Sequence, residues 1–262
     1  MTGVPHSQSH FPVRAITLDL DDTLWPFAPI AKRIEGVLDD WFRTHSPRTA
    51  ELFPIPEMRA LRERVVAENP QLAHDIGALR RLTLVHALRE SGADPALADA
   101  AYEAFYAARN QVECYPDSLD ALARIAARVP VAALSNGNAD LQRIGLSHHF
   151  HFYLRAHEHG TGKPDASIFL AACERLDVAP EQVLHVGDDA DLDVLGAARA
   201  GLRTCWINRA DQKARCADPA VRGHGDWPHG DPRPDLEFDT LTALADWLDA
   251  AAAFPPSRAA CA

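Results

Sequence analysis

An apolar run that ends in a cluster of acidic residues most constrains how this chain can fold. Residues 13–20 are mainly apolar and rich in β-branched side chains, the pattern of a strand buried on both faces. Asp19, Asp21 and Asp22 come where the run ends. In an extended chain Asp19 and Asp21 lie on the same side and repel each other. Their oxygens suit Mg²⁺, but an aspartate-rich turn that closes a strand explains them as well.

Short apolar runs alternate with amphipathic segments in the second half of the chain. The strands predicted there are 131–134, 152–156, 183–186, 203–207 and 236–238. The helices predicted between and after them are 117–127, 165–176, a helix that ends at Gly201, and 240–248. This alternation predicts an α/β fold, a parallel-sheet Rossmann-like core with helices on both faces.

The stretch from 26 to 113 interrupts that alternation. It contains apolar stripes at helical spacing, such as Ile30, Ile34 and Leu38, and no predicted strand. We therefore expect an inserted all-helical cap domain at 26–113. The core domain would be built from 1–25 and 114–262, with a loose tail at 1–12 and a long loop at 210–234.

Composition excludes several classes of function. The formal net charge is −11, from 26 Lys and Arg against 37 Asp and Glu, and no basic run is present, which argues against a nucleic-acid partner. No apolar run approaches the length of a membrane span, so no membrane partner is expected. Five scattered cysteines without a CxxC pair indicate reduced thiols, and we predict a cytoplasmic protein.

Four predicted strand ends, or the loops that follow them, carry polar residues. In an open parallel sheet ligands bind outside the carboxyl ends of the strands. A carboxylate nucleophile, a hydroxyl, an ammonium group and a second carboxylate pair at one edge predict a site for phosphate and metal. The residues are Asp19 and Asp21, Ser135 and Asn136, Lys163, and Asp188 and Asp189.

In order, spacing and strand context these segments resemble the haloacid dehalogenase superfamily. The four motifs are Asp19-Leu20-Asp21-Asp22-Thr23, Ser135-Asn136, Lys163-Pro164-Asp165, and Gly187-Asp188-Asp189 followed by Asp193. The chain is most similar to the branch of small-molecule phosphatases that carry an inserted helical cap of the C1 type. The resemblance covers nearly the whole chain except the tail and the loop at 210–234.

The resemblance implies a role for each acidic residue. Asp19 is the expected nucleophile, which forms an aspartyl-phosphate, and Asp21 is the expected general acid and then base. The resemblance also implies a Mg²⁺ ion bound by Asp19, the backbone carbonyl of Asp21 and Asp188, with Asp189 acting through water. Asp193 is expected behind these ligands, where it would orient the catalytic lysine.

The resemblance also implies a set of substrate contacts. Ser135 and the amide of Asn136 would bind phosphate oxygens, and Lys163 would place a positive charge on the phosphoryl group. Thr23 would either fix the turn or contact phosphate. Trp25 is expected to face the leaving group, and Arg80 in the cap either contacts substrate or points into solvent.

A narrower resemblance is to flavin mononucleotide phosphatases, which also take the phosphorylated ribitylamino-uracil intermediate of riboflavin synthesis. It rests on residues 19–33, 134–141 and 206–209. The dehalogenase branch lacks the second aspartate of the first motif, so Asp21 favours phosphoester hydrolysis over carbon–halogen cleavage.

Several alternatives remain open on the sequence. The chain could be a phosphoglycolate or sugar-phosphate phosphatase, a phosphomutase, or a non-catalytic module that binds a phosphorylated metabolite. The expected partner is a small phosphorylated metabolite, and a monomer and a homodimer are both compatible with the sequence. Five histidines between His148 and His159 are interpreted as loop residues, because no accompanying carboxylate or thiol completes a zinc site.

Overall fold

The computed structural model describes residues 11–209 and 226–253. Most of the tail predicted at 1–12 and most of the loop predicted at 210–234 lie outside these residues. Within the described part of the chain, no helix is both long enough and apolar enough to cross a bilayer.

In the described ranges, six parallel strands form one sheet at the centre, in the order β3-β2-β1-β4-β5-β6. The strands are β1 Ala15–Leu18, β2 Val131–Ser135, β3 Phe152–Arg155, β4 Val183–Gly187, β5 Arg203–Ile207 and β6 Leu236–Phe238. All six were predicted within a few residues. The predicted α/β class, with a Rossmann-like sheet and helices, is confirmed.

β1 lies between the two halves of the sheet. Ile16 is in register with Val131 of β2, and Leu18 is in register with Val186 of β4. Every residue of β1 is buried, because helices cover both faces of a parallel sheet. From β1 the strand order runs toward one edge of the sheet through β2 and toward the other edge through β4. Such a reversal of strand order is the position where α/β sheets bind ligands.

Eleven α-helices are present in the described ranges 11–209 and 226–253. They are α1 Phe27–His45, α2 Pro47–Leu52, α3 Ile55–Glu68, α4 Ile76–Glu90, α5 Leu97–Arg109, α6 Ser118–Ala126, α7 Leu141–Ile144, α8 Ala156–His159, α9 Ala166–Leu176, α10 Gly196–Arg199 and α11 Leu241–Ala253. Helices α1 to α5 follow β1 directly and form a helical segment, which we call the cap. The division into domains at 25/26 and 113/114 stays a prediction.

One local feature differs from the prediction. A single helix was predicted after Asp189, but Ala190–Leu195 has π-helical geometry and only then does α10 begin.

Candidate active site

The acidic residues after β1 and β4 meet because these two strands are adjacent. Asp19 follows β1 and Asp188 follows β4, and both are less than a tenth exposed. The amide of Asp19 donates a 2.9 Å hydrogen bond to the carbonyl of Val186, which continues the ladder between the strands up to the site. The sheet itself therefore holds the two carboxylates side by side.

Lys163 lies between two of these carboxylates. Its Nζ atom donates hydrogen bonds to Asp19 Oδ1 at 2.5 Å and to Asp193 Oδ1 at 2.6 Å. Asn136 fixes the backbone of the lysine from both sides: its side chain accepts from the Lys163 amide at 2.7 Å and donates to the Lys163 carbonyl at 2.8 Å. The side chain of Asn136 thus positions Lys163, and the predicted phosphate contact is left to its backbone amide.

Burial and charge act in opposite directions on the ionisable groups. Burial raises the pKa of Asp19 well above its usual value, against the lowering effect of Lys163. Burial, with the charge of Asp193, also raises the pKa of Asp188. For Asp193 burial is outweighed by Lys163 and His185, so its pKa is lowered. For Lys163 burial is likewise outweighed, by Asp19 and Asp193, and its pKa is raised. The site therefore favours a charged lysine, and burial without enough positive charge disfavours the ionised forms of Asp19 and Asp188.

One group of potential metal ligands is found in the described part of the chain. Oxygens of Asp19, Asp188 and Asp193 lie within 4.8 Å of one another. Hard cations such as Mg²⁺ bind this kind of oxygen set, and a cation would relieve the effect of burial on Asp19 and Asp188. The residues present therefore fit a divalent metal ion.

Asp189 and Asp193 differ in their relation to that group. Oδ1 of Asp189 accepts hydrogen bonds from the amides of Asp191 and Leu192 at 2.8 and 2.9 Å, so this side chain caps the following helical turn. It is not part of the carboxylate group, and the predicted contact of Asp189 with the metal through water stays a prediction. Asp193 belongs to the group but accepts from Lys163 and from the amide of Asp189, as expected for a residue behind the ligands.

Asp21 is held by two donors. Trp25 Nε1 donates to its Oδ1 at 2.7 Å, and Arg109 Nη2 donates to its Oδ2 at 2.6 Å. The prediction that Trp25 contacts substrate is corrected, because this side chain is fully buried and its N–H is directed at Asp21. Trp25 therefore orients the expected acid–base residue.

Thr23 and Ser135 occupy the edge of the same site. Thr23 is fully buried and its hydroxyl donates to Asp188 Oδ1 at 3.1 Å, so the hydroxyl steadies a potential metal ligand. Ser135, the last residue of β2, accepts a 2.9 Å hydrogen bond from the amide of Gly137 on its hydroxyl oxygen. The Ser135 hydroxyl also lies beside the buried Tyr153 hydroxyl, so its predicted phosphate contact stays a prediction.

Arg80 lies within the cap. Its guanidinium is 4.8 Å from the centre of the Phe105 ring, and it lines a small cavity with Glu35, Arg59 and Arg62. Burial, together with the neighbouring charge of Arg62, lowers the pKa of Arg80 to about 10. These neighbours of Arg80 all belong to the cap, so a substrate contact of Arg80 stays a prediction.

Two residues of the site were missed by sequence reasoning. Arg109 is the last residue of α5, where a basic residue is ordinarily a solvated partner of the helix dipole. His185 lies inside β4, and a polar residue in a buried strand is a signal that could have found it. His185 Nε2 is 3.0 Å from Asp193 Oδ1 and its Nδ1 is 2.9 Å from Thr17 Oγ1.

The end of β5 and the residues that follow it support the site from behind. Trp206 Nε1 donates to the backbone carbonyl of Asp188 at 2.7 Å. Arg209 is buried and donates to the carbonyl of Thr23 at 3.0 Å and to Asp117 at 2.8 Å. These residues belong to the 206–209 motif, so part of that motif holds the backbone of the first and fourth motifs in place.

Sequence comparison identifies the class of protein that this fold and site define. The chain belongs to the haloacid dehalogenase-like hydrolases: the sequence model of that family matches residues 13–201. Chain and family therefore share the region from β1 to the end of α10.

Several relatives in this family are phosphatases. The chain is 33% identical to the 5-amino-6-(5-phospho-D-ribitylamino)uracil phosphatase YigB of Escherichia coli over 74% of this chain and 83% of that protein. It is also 33% identical to a phosphoserine phosphatase of Thermus thermophilus, over 75% and 89%. A glyceraldehyde 3-phosphate phosphatase of Methanopyrus kandleri is 30% identical, over 89% and 96%. The chain is thus similar to enzymes that act on small phosphorylated substrates.

Solved structures of the same fold include a dehalogenase. A 2-haloacid dehalogenase from Pseudomonas syringae superposes with a TM-score of 0.79 at 36% identity, covering 91% of this chain and 99% of that chain. The shared fold therefore accommodates both phosphatases and a dehalogenase, and the site must discriminate between the two reactions.

Proposed function

We propose that this chain is a Mg²⁺-dependent phosphatase that hydrolyses a small phosphorylated metabolite through an aspartyl-phosphate on Asp19. The observation that carries the proposal is the convergence of Asp19, Asp188 and Lys163 at the adjoining ends of β1 and β4, with Asp21 two residues beyond the nucleophile. A buried carboxylate nucleophile beside an ammonium group is suited to attack on a phosphate anion.

The chain's own residues perform two displacement steps. An oxygen of Asp19 attacks phosphorus, an O–P bond forms, and the bond from phosphorus to the leaving oxygen breaks while Asp21 gives that oxygen a proton. Asp21 then takes a proton from water, whose oxygen attacks phosphorus, and this releases inorganic phosphate and restores Asp19. Lys163 and Ser135 bind the phosphoryl oxygens in both steps. Mg²⁺, held by Asp19, Asp188 and the Asp21 carbonyl, would supply charge that screens nucleophile and phosphate.

Dehalogenation is the second candidate, because a 2-haloacid dehalogenase is among the similar structures. Both reactions use an aspartate nucleophile, but a halide leaves without a proton. Asp21, oriented by Trp25 and Arg109, has a function in phosphoester hydrolysis and none in carbon–halogen cleavage. Because of Asp21, we propose a phosphatase and not a dehalogenase.

The substrate that we propose first is a riboflavin-pathway phosphate, either the phosphorylated ribitylamino-uracil or flavin mononucleotide. It is supported by the similarity to YigB. Phosphoserine and glyceraldehyde 3-phosphate are the alternatives that the other relatives suggest.

A panel assay tests the proposal. Release of inorganic phosphate would be measured with Mg²⁺ from these four compounds and from an aryl phosphate, and release of halide from a 2-haloacid. We expect phosphate release, with the highest kcat/KM for a riboflavin-pathway compound, and no halide release. Halide release without phosphate release would overturn the phosphatase; a higher kcat/KM for phosphoserine would overturn only the substrate.

A further inference from the structure

Arg109 occupies an unusual place for a residue at the end of a helix. It is the last residue of α5, where the cap returns to the sheet, and only 2% of it is exposed. A guanidinium is charged at all ordinary pH values, and burial of a charge is costly unless partners compensate for it. The contacts of the Arg109 guanidinium therefore indicate the function of its charge.

The three guanidinium nitrogens of Arg109 differ in their hydrogen-bond partners. Nε donates to Asn138 Oδ1 at 3.2 Å, and Nη2 donates to Asp21 Oδ2 at 2.6 Å. Nη1 is buried, and none of the described residues accepts from it. An orphaned donor on a buried, charged group costs stability, so Nη1 is suited to an acceptor that arrives from outside the protein.

Nη2 of Arg109 lies close to the groups that are expected to react with or bind the substrate. A Cβ atom built on Gly137 would lie 2.9 Å from Asp21 Oδ2, 3.2 Å from Ser135 Oγ and 3.3 Å from Arg109 Nη2. The absence of a side chain at Gly137 thus leaves room where the acid–base carboxylate, the phosphate-binding hydroxyl and the guanidinium come together. The ring of Phe27, with its centre 5.4 Å from the guanidinium carbon, borders the same group.

We propose that Arg109 is a specificity residue that binds, through Nη1, an oxygen of the leaving group carried by the carbon next to the ester carbon. The proposal rests on the phosphatase function above. The two Nη atoms lie side by side in the planar fork. When Nη2 holds Asp21 at the ester oxygen, Nη1 meets the next oxygen of the leaving group. The substrate class that fits is a phosphate ester of a polyol or a hydroxy acid, whose neighbouring carbon bears a hydroxyl or a carboxylate.

A matched pair of substrates tests this inference. Glycerol 1-phosphate carries the neighbouring hydroxyl, and 3-hydroxypropyl phosphate has the same carbon chain and the same terminal hydroxyl without it. The kcat/KM ratio of the pair would be measured for the wild type, Arg109→Lys and Arg109→Met, with Arg143→Met as control, because Arg143 is half exposed and lies over Tyr106. Thermal unfolding of each variant shows whether it is folded.

We expect the wild type and the control to favour glycerol 1-phosphate by about tenfold or more, the size of a hydrogen bond to a charged group. Arg109→Met should remove the preference, and Arg109→Lys should keep only part of it. A wild-type ratio near one, or a folded Arg109→Met with the wild-type ratio, would show that Arg109 is only a structural partner of Asp21. The wild-type measurement decides the matter if Arg109→Met does not fold.

A binding measurement separates this inference from the phosphatase itself. Dissociation constants of the two esters would be measured by calorimetry on Asp19→Asn and on Asp19→Asn with Arg109→Met, neither of which needs turnover. Tighter binding of glycerol 1-phosphate that depends on Arg109 supports the inference even if the wild type releases no phosphate. Equal binding of the two esters to Asp19→Asn contradicts it, even if the wild type is an active phosphatase.

Discussion

Nζ of Lys163 donates a 2.6 Å hydrogen bond to Oδ1 of Asp193, although Lys163 lies in the loop before α9 and Asp193 in the π-helical turn after β4. The same Asp193 oxygen is 3.0 Å from His185 Nε2. Burial lowers the pKa of His185 against the raising effect of Asp193, which favours the neutral ring. In the neutral ring Nε2 donates to the Asp193 carboxylate, which can only accept, and Nδ1 accepts from Thr17. Asp193 therefore holds the ammonium of Lys163 beside Asp19, and in the proposed reaction it takes no part in the displacement.

Replacement of the lysine removes this charge from the phosphoryl group. Lys163→Met should lower kcat/KM for an aryl phosphate by about a hundredfold, the usual effect of deleting one well-placed electrostatic contact. Lys32→Met is the control, because Lys32 is exposed on α1 and should retain wild-type activity. A loss of less than twofold in Lys163→Met would remove Lys163 from the site.

The leaving-group dependence of Asp21→Asn tests the acid role of Asp21. The amide cannot donate a catalytic proton, so esters of weakly acidic alcohols should lose far more activity than esters of acidic phenols. Rates for a series of aryl and alkyl phosphates, plotted against the pKa of the leaving alcohol, give the measurement. Equal losses across the series contradict the acid role.

The proposed metal site predicts a dependence on divalent cations. Removal of metal with EDTA should abolish phosphate release and added Mg²⁺ should restore it, since Asp19 and Asp188 are buried together. Asp188→Asn should raise the Mg²⁺ concentration needed for half-maximal activity. Asp40→Asn, an exposed change on α1, should not. Full activity of the metal-free protein would contradict the proposal.

The ion pair of Asp117 with Arg209 predicts how stability changes with pH. Partial burial raises the pKa of Asp117, but Arg209 and the amide of Leu241 lower it further, so the net value lies below the ordinary 3.8. A carboxyl group with a lowered folded-state pKa stabilises the protein above its unfolded pKa. That contribution is lost as the pH falls through the folded pKa.

Asp117→Asn should therefore lower the free energy of unfolding at pH 7 by about 2 kcal/mol, the size of a hydrogen bond to a charged group. The difference from wild type should shrink as the pH falls below 3.8. Urea unfolding at a series of pH values measures this, and Asp120→Asn on the exposed face of α6 is the control. A difference that does not change with pH would exclude the ion pair as its cause.

The parts of this fold that follow from local pattern could be predicted from the sequence. The buried run of β1 and the alternation after residue 114 predicted the six strands, and strand order at a shared edge brought Asp19, Ser135 and Asp188 together. These predictions succeed because the spacing of apolar residues indicates which segments are strands and which are buried.

The parts that depend on side-chain contacts across the sequence could not be predicted. Arg109 reaches Asp21 over 88 positions, and Trp25 is buried by packing that no local pattern reveals. One carboxylate oxygen of Asp189 caps the helical turn that this residue begins. In each case the position of the side chain depends on a hydrogen-bond or packing partner, and the spacing of residues in the sequence does not specify that partner.

Chemical trapping of the covalent intermediate tests the central claim most directly. Asp21→Asn, which is expected to slow hydrolysis of the intermediate, would be mixed with an aryl phosphate and Mg²⁺, quenched in acid and reduced with borohydride, which converts an aspartyl-phosphate to homoserine. Peptide mass spectrometry should then find homoserine at position 19, and no such change in Asp19→Asn. Release of the aryl alcohol with an unmodified Asp19, or with homoserine at another position, would contradict the account.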